Sequence, residues 1–260
     1  MEISIGCTGW SYGGWVGPFY PQGMAPDKFL RFYSSFFDLT EVNSTFYRIP
    51  SENVAKKWAS DTPPHFRFTS KLPQMITHES RLQKLHPFME QYASSMNGLG
   101  QKHFLTVVQL PPSLSFDEAL PHLDELNSFL SNYVIEGRHA SWFEDRAVRY
   151  LTDKNTCLVW NDVAGVNNTL PVTSDLVYLR IIGDRTIPDE DFGTIVRDRT
   201  TDLKSWVERL YRIQDRIKFA VILANNHYEG FGAATANKLR AIFGMEDVWH
   251  SKKQRTLAEF

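Results

Sequence analysis

The chain has 260 residues, of which 42% are hydrophobic and 22% charged, so its composition is that of a globular protein and not of a disordered one. This length allows one large α/β domain or two small ones, and we expect a single domain over residues 1–260. The net charge of −2 disfavours a bulk field that attracts nucleic acid or acidic membranes, although a local basic groove stays open.

Eight predicted strands alternate with predicted helices. The strands cover residues 3–8, 39–46, 66–72, 104–110, a segment from Tyr133 that ends before His139, and residues 156–162, 176–182 and 219–225. The helices cover residues 26–37, 52–59, 81–96, 117–130, 145–152, 202–217 and 233–243. Pro26 suits a first helical position, and Ser51 suits an N-cap.

The alternation of strands and helices predicts the fold. It requires a mostly parallel sheet, and eight units in about 250 residues indicate an α/β protein with a (β/α)8 TIM barrel. Residues 163–175 lack helical periodicity, so we expect an irregular barrel whose sixth helix is short or missing. A doubly wound sheet is the alternative, but the glycines after the first strand do not form GxGxxG.

The compartment is predicted to be cytoplasmic. The chain opens without a basic segment before an apolar core, so we expect no secretory signal. No uncharged apolar run approaches the roughly 18 residues of a membrane span. Cys7 and Cys157 lie in predicted strands and are interpreted as buried reduced thiols.

Nearly every predicted strand becomes polar near its end. These residues are Glu41, Asn43, Lys71, Gln109, Glu136, Arg138, Asp162, Tyr178, Arg180 and Asn225, with Asn226 just beyond. In a barrel such strand ends meet at the C-terminal mouth. Because unpaired buried charges cost several kcal/mol, we interpret the set as one polar pocket, while each residue alone is compatible with a structural ion pair or a cap.

The residue types suggest several chemistries. Three inward cations, Lys71, Arg138 and Arg180, suit an anionic ligand. Glu41, Glu136 and Asp162 are candidate acids, bases or metal ligands. Lys71 is also a possible Schiff-base amine, although no local feature favours that role.

Histidines follow three of the strands, at positions 78, 139 and 227. His139 is a candidate catalytic residue, and His78 a candidate ligand contact. No HxH or HExxH spacing is present, so we assign no metal site.

Two further features of the loops each have two interpretations. The loop after strand one contains Trp10, Tyr12, Trp15, Phe19 and Tyr20. It is either a platform or lid for a sugar or base, to which Trp10 and Tyr12 would contribute, or a packed cover. The second feature is a set of three loop glycines, which either bind phosphate through their N–H groups or form turns. They are Gly183, Gly230 and Gly232.

These residues together resemble the YecE-like family, domain of unknown function 72, over nearly the whole chain. The matching positions are Gly6, Gly9, Trp10, Tyr12, residues 41–47 (EVNSTFY), Pro50, Lys71, Thr77, His78, residues 109–112 (QLPP), Glu136, Arg138, His139, Ser141, Trp142, Phe143, Tyr178, Arg180, Gly183, Asn225 and Asn226. The resemblance implies a TIM barrel and assigns no reaction or cofactor. The chain departs from the family pattern at Gly137, Ala140 and Ile182.

Three functional hypotheses follow. The first is an enzyme that acts on a small anionic or sugar-like substrate by acid/base chemistry at Glu136 or Glu41. The second is a metal-assisted phosphodiester hydrolase or another nucleic-acid-processing barrel, by analogy of fold with abasic-site endonucleases. The third is a barrel that binds a ligand without catalysis.

Overall fold

The computed structural model describes residues 1–83, 85–162 and 170–247. Its strands form one sheet in which every pair is parallel, in the order β6-β5-β4-β3-β2-β1-β9-β8-β7. The strands are β1 (Glu2–Cys7), β2 (Leu39–Val42), β3 (Arg67–Lys71), β4 (His103–Gln109), β5 (Tyr133–Glu136), β6 (Cys157–Leu158), β7 (Trp160–Asp162), β8 (Leu176–Ile181) and β9 (Phe219–Ala224).

The two ends of this sheet meet within the predicted sixth strand. Strand β6 pairs with β5, and β7 pairs with β8. A single residue, Val159, separates them, and its N–H donates to the carbonyl of Ile135 at 2.8 Å. Since β6 and β7 are halves of one strand, eight strands surround the interior, and the prediction of a (β/α)8 TIM barrel is confirmed.

Helices surround the barrel. They are α1 (Phe29–Tyr33), α2 (Ser44–Tyr47), α3 (Glu52–Ser60), α4 (His86–Asn97), α5 (Phe116–Phe129), α6 (Asp145–Asp153), α7 (Thr200–Arg212), α8 (Asn226–Glu229) and α9 (Gly232–Ile242). The side chain of Ser51 caps α3, as predicted, by accepting from Val54 N–H. At α5, Ser115 and Glu118 form a reciprocal capping box.

Several predicted bounds are wrong. The helices predicted to end at residues 37 and 217 end at Tyr33 and Arg212. The second strand stops at Val42, because Asn43 turns into a helical conformation ahead of α2. The helix predicted from residue 81 begins at His86. Arg81 has a φ of 52° and follows a π-helical turn, so its left-handed backbone cannot belong to the helix.

The structure describes only part of the segment in which the sixth helix was predicted to be short or missing. Residues 170–175 contain no helix, whereas residues 163–169 lie outside the described part of the chain. The end of the polar tail, residues 248–260, also lies outside it. Within the described ranges, no helix is long and apolar enough to cross a membrane.

Two apolar cores hold the fold together. The larger one lies between the strands and the helices and includes the aromatic loop after β1. Trp15, Phe19 and Tyr20 of this loop are buried and in ring contact with one another, so they form a packed cover. The smaller core fills the lower barrel interior with Leu39, Leu105, Val107, Val134, Cys157, Val159, Tyr178, Val221 and Leu223. Cys7 and Cys157 are buried free thiols, as predicted.

Candidate functional site

Arg180 is the centre of the polar layer above the small core. Its Nε and Nη2 donate to the two carboxylate oxygens of Glu41, at 3.1 and 2.7 Å, and its Nη1 donates to Glu136 at 2.5 Å. All three side chains are at most 2% exposed. Burial opposes the charge of Arg180, but the two carboxylates outweigh burial and raise the pKa of the guanidinium.

Glu136 has a second cationic partner. Arg138 donates to its carboxylate through Nε at 3.0 Å and Nη2 at 2.8 Å. Burial alone would raise the pKa of Glu136, but the charges of Arg180, Arg138 and Lys71 lower it to about 2. The carboxylate therefore stays ionised near neutral pH. Arg138 is 19% exposed, so this cation extends towards solvent.

Tyr178 joins the carboxylate cluster to the core below. Its hydroxyl donates to Glu41 at 2.8 Å and therefore accepts from Thr69 at 2.7 Å. Burial and the charge of Glu41 raise the pKa of Tyr178 well above its ordinary value. Both carboxylates thus have their hydrogen bonds committed to neighbouring side chains.

Lys71 differs from the two arginines. Lys71 as a residue is 7% exposed, and its ammonium donates to Oε1 of Gln109 at 2.9 Å, with the ring centroid of Phe46 at 5.5 Å. Among the described residues, no carboxylate oxygen lies within 4 Å of it. Burial, followed by the charge of Arg180, lowers the pKa of Lys71 from 10.5 to about 7, although Glu41 and Glu136 oppose this shift.

We call the side chains of this layer (Glu41, Lys71, Gln109, Glu136, Arg138 and Arg180) the polar ring. Two candidate histidines follow the strands that supply Lys71 and Glu136. His78 hydrogen-bonds the Thr77 hydroxyl through Nδ1 at 2.8 Å, and burial followed by the charges of Arg138 and Lys71 lowers its pKa. Nδ1 of His139 accepts from the Ser141 backbone N–H at 3.2 Å and hydrogen-bonds its hydroxyl at 2.9 Å. His139 therefore caps a short turn.

Gly137, just before His139, packs closely against Trp142 of the same loop. A Cβ on Gly137 would lie 2.3 Å from Cγ of Trp142. The tryptophan ring is buried, so a side chain at position 137 would require this loop to move.

Three candidate ligand contacts converge on the end of β1. The Thr8 carbonyl accepts from the Tyr12 hydroxyl at 2.7 Å and from Nδ2 of Asn43 at 2.9 Å. Nδ2 of Asn225 donates to the Thr8 hydroxyl at 2.7 Å. Trp10 packs edge-on against Trp58 at 5.6 Å. These hydrogen bonds and the ring contact therefore connect the segments that follow the strands at the C-terminal mouth of the barrel.

Two candidates lie outside the ring. Asp162 accepts from Trp206 of α7 at 2.8 Å, so its side chain faces the helices. Oδ1 of Asn226 accepts from Trp15 at 3.0 Å and from Gly232 N–H at 2.8 Å, beneath the aromatic loop. The sequence analysis selected Asp162 because it is the charged residue at the end of strand six. Cys157 and Val159 point into the barrel, so alternation along the strand places residue 161 inside and residue 162 outside.

That neighbour, Asn161, is the ring residue that sequence reasoning missed. It pairs in register with Arg180 and is 7% exposed. Its Oδ1 is buried and has no hydrogen-bond partner among the described residues. A strict count of strand parity from Cys157 would have identified it.

The three loop glycines use their N–H groups within the protein. Gly183 donates to the Asp162 carbonyl at 2.8 Å, Gly230 to the Asn226 carbonyl at 2.6 Å, and Gly232 to the Asn226 side chain. Gly183 and Gly230 also have φ values of 82° and 106°. These contacts favour turn geometry over phosphate binding.

The carboxylates and histidines do not assemble into a ligand set. In the described ranges, no group of three His, Cys, Asp or Glu side chains is arranged to hold a metal ion. The acids of the ring contact arginines instead.

Solved structures share this fold. A DUF72 family protein from Thermotoga maritima has a TM-score of 0.79 and 25% identity, covering 94% of this chain and 100% of its own. A DUF72 family protein from Enterococcus faecalis has a TM-score of 0.75 and 19% identity, covering 94% of this chain and 96% of its own.

Sequence relatives and a family model agree with this similarity. The UPF0759 protein YecE of Escherichia coli K12 is 31% identical over 144 residues, which are 54% of this chain and 50% of that protein. YunF of Bacillus subtilis is 38% identical over 79 residues, 30% of this chain and 27% of that protein. The matched segments thus span half or less of these relatives. The model for "Protein of unknown function DUF72" matches residues 4–257, so the chain belongs to the DUF72 family.

Proposed function

We propose that this protein is an enzyme that binds a small anionic substrate at the C-terminal mouth of the barrel and exchanges protons through Lys71. One observation carries the proposal. Lys71 is a buried amine that contacts an amide oxygen and no carboxylate among the described residues, and its pKa is about 7.

The charges of the ring favour an anion. The ring contains three cations and two carboxylates, and both carboxylates are bound by arginine. When Lys71 is protonated, one positive charge remains without a counter-ion in a buried layer. An uncompensated buried charge costs several kcal/mol, and the anionic group of a substrate would offset this cost. The amides of Gln109 and Asn161 would suit the hydroxyls of a sugar-like substrate.

Lys71 suits acid/base chemistry better than the carboxylates do. A general acid or base works best when its pKa lies near the working pH. Glu136, with a pKa of about 2, remains ionised and acts as a counter-ion for Arg180 and Arg138. Glu41 accepts from Arg180 and Tyr178 and fills the same role. Among the described residues no carboxylate–histidine cluster supports the metal-assisted hydrolase.

The test is anion-dependent thermal stability. Phosphate and acetate should raise the melting temperature of the wild type at pH 6, and less at pH 8, because Lys71 loses its charge in between. Lys71→Met should remove this pH dependence. Lys102→Met is the matched control, since the Lys102 ammonium donates to the Ala59 and Thr62 carbonyls and burial also lowers its pKa. Stabilisation that is absent, or equal in Lys71→Met, would contradict the proposal and favour a structural role for the ring.

A further inference from the structure

We infer that Lys71 forms an imine with its substrate, so that the substrate is a small anion that also carries an aldehyde or ketone carbonyl. This inference rests on the proposed function, because it requires the anion to bind at the same mouth. It adds a covalent step and a substrate class.

The partners of the Lys71 amine leave its lone pair available. A lysine in an ion pair is held in its protonated form, which has no lone pair for attack. Here Arg180 and Arg138 bind both carboxylates of the ring, and among the described residues the Lys71 amine hydrogen-bonds only the neutral amide oxygen of Gln109. An amide oxygen accepts from an amine and from an ammonium alike, so this contact does not fix the protonation state.

The surroundings of the amine also favour a nucleophile. Desolvation and a neighbouring cation are the two conditions that activate a lysine for imine formation. Lys71 meets both, because it is 7% exposed and Arg180 acts on it electrostatically. The ring of Phe46, 5.5 Å from Nζ, supplies an apolar wall that would shield an imine from water.

The ring also contains a group that would attract the anionic end of such a substrate. Arg138 is tied to Glu136 yet is 19% exposed, so it is the arginine of the ring that reaches solvent. Its charge also acts on Lys71. A carboxylate or phosphate bound at Arg138 would therefore bring an adjacent carbonyl into the same mouth as the amine.

The step balances without an oxidant or reductant. The neutral nitrogen of Lys71 attacks the carbonyl carbon, a C–N bond forms, and one amine proton moves to the carbonyl oxygen. The resulting carbinolamine loses its hydroxyl group and the second amine proton as water, which leaves a C=N bond. His78 is suited to transfer these protons, because its ring lies 5.1 Å from the ring of Phe46, which also lies 5.5 Å from Nζ of Lys71. Burial and the neighbouring cations also lower the pKa of His78.

The test is reductive trapping in the wild-type protein, which requires no variant. The protein is incubated with pyruvate or dihydroxyacetone phosphate, reduced with borohydride, digested and mapped by mass spectrometry. Lactate and glycerol 3-phosphate are the matched compounds without a carbonyl. We expect an adduct on Lys71 with a carbonyl compound and none with its matched alcohol. The pyruvate and phosphate arms distinguish a carboxylate from a phosphate substrate.

The pH profile separates a specific adduct from general labelling. Trapping at Lys71 should rise with a midpoint near pH 7, and labelling of the exposed Lys57 is the measure of general labelling at each pH. Lys71→Arg, which keeps the charge and cannot form an imine, should lose the adduct while anions still stabilise the protein.

The two proposals fail in different ways. If neither carbonyl compound labels Lys71 ahead of Lys57, imine formation is overturned, although Lys71-dependent stabilisation by phosphate or acetate would still support the proposed function. If no anion stabilises the protein and no adduct forms, both proposals are overturned.

Discussion

The barrel interior has two layers that are equally buried and chemically opposite. The lower layer is built from side chains such as Val107, Val134 and Val221, and its polar member Tyr178 points its hydroxyl upward. The upper layer contains Glu41 and Arg180 with the rest of the polar ring, and both side chains are at most 2% exposed. The same strands supply both layers, so the barrel itself does not require the charges.

The difference indicates what each layer contributes. Burying an apolar side chain of the lower layer stabilises the fold by about 1.5–3 kcal/mol. A buried ion cluster is often no more stabilising than apolar residues of similar volume, yet breaking one costs about 3–5 kcal/mol. The upper layer is therefore stable only while complete, and packing alone does not explain its composition.

The most severe way to break the upper layer is Arg180→Met. It would leave Glu41 without its main partner and Glu136 with Arg138 alone. We expect a loss of about 5 kcal/mol or more, which is comparable to the whole stability of a typical domain. Urea unfolding would measure it, with Arg212→Met as the control. Arg212 is 77% exposed and paired with Glu208, and its replacement should cost about 1 kcal/mol at most.

Replacing the three buried charges of the upper layer with apolar residues sharpens the comparison. We expect Arg180→Met combined with Glu41→Leu and Glu136→Leu to recover most of the stability lost in Arg180→Met, because no buried carboxylate remains unpaired. Lys71 and Arg138 remain in this variant without a carboxylate partner, so phosphate should still stabilise it. A triple variant as unstable as the single one would show that the ion cluster is needed for folding itself.

The pH dependence of stability tests Lys71 separately. Its folded pKa of about 7 lies below the ordinary 10.5, so between these values the unfolded chain binds more protons. The contribution of Lys71 to stability should therefore rise with pH from about 7 towards 10.5 and be constant below 7. Lys71→Met should flatten that rise in urea titrations at a series of pH values. An unchanged slope would mean that Lys71 keeps its ordinary pKa.

The smallest expected effect is at Asp162, on the helix-facing side of the same barrel. Asp162→Asn keeps an oxygen for Trp206 but removes the charge that strengthens the hydrogen bond. We expect a loss of about 1 kcal/mol and no change in the melting-temperature shift caused by phosphate. A reduced shift would place Asp162 in the site after all.

The sequence predicted the barrel well because the alternation of strands and helices is a local pattern. Ser51 and its capping contact were identified correctly for the same reason. The start of α4 was not, because the left-handed backbone at Arg81 and the π-helical turn before it have no simple sequence signature.

The sequence by itself determined which strands end in charged residues and that the ends of parallel strands meet at one mouth. Only the tertiary structure decided which charge contacts which. Strand parity turned Asp162 outward and Asn161 inward, and the register across the barrel placed Arg180 between Glu41 and Glu136. Lys71 was left with Gln109. Hydrogen bonds across a closed barrel join residues more than a hundred positions apart, so the pairing that separates Lys71 from the carboxylates is absent from any local pattern.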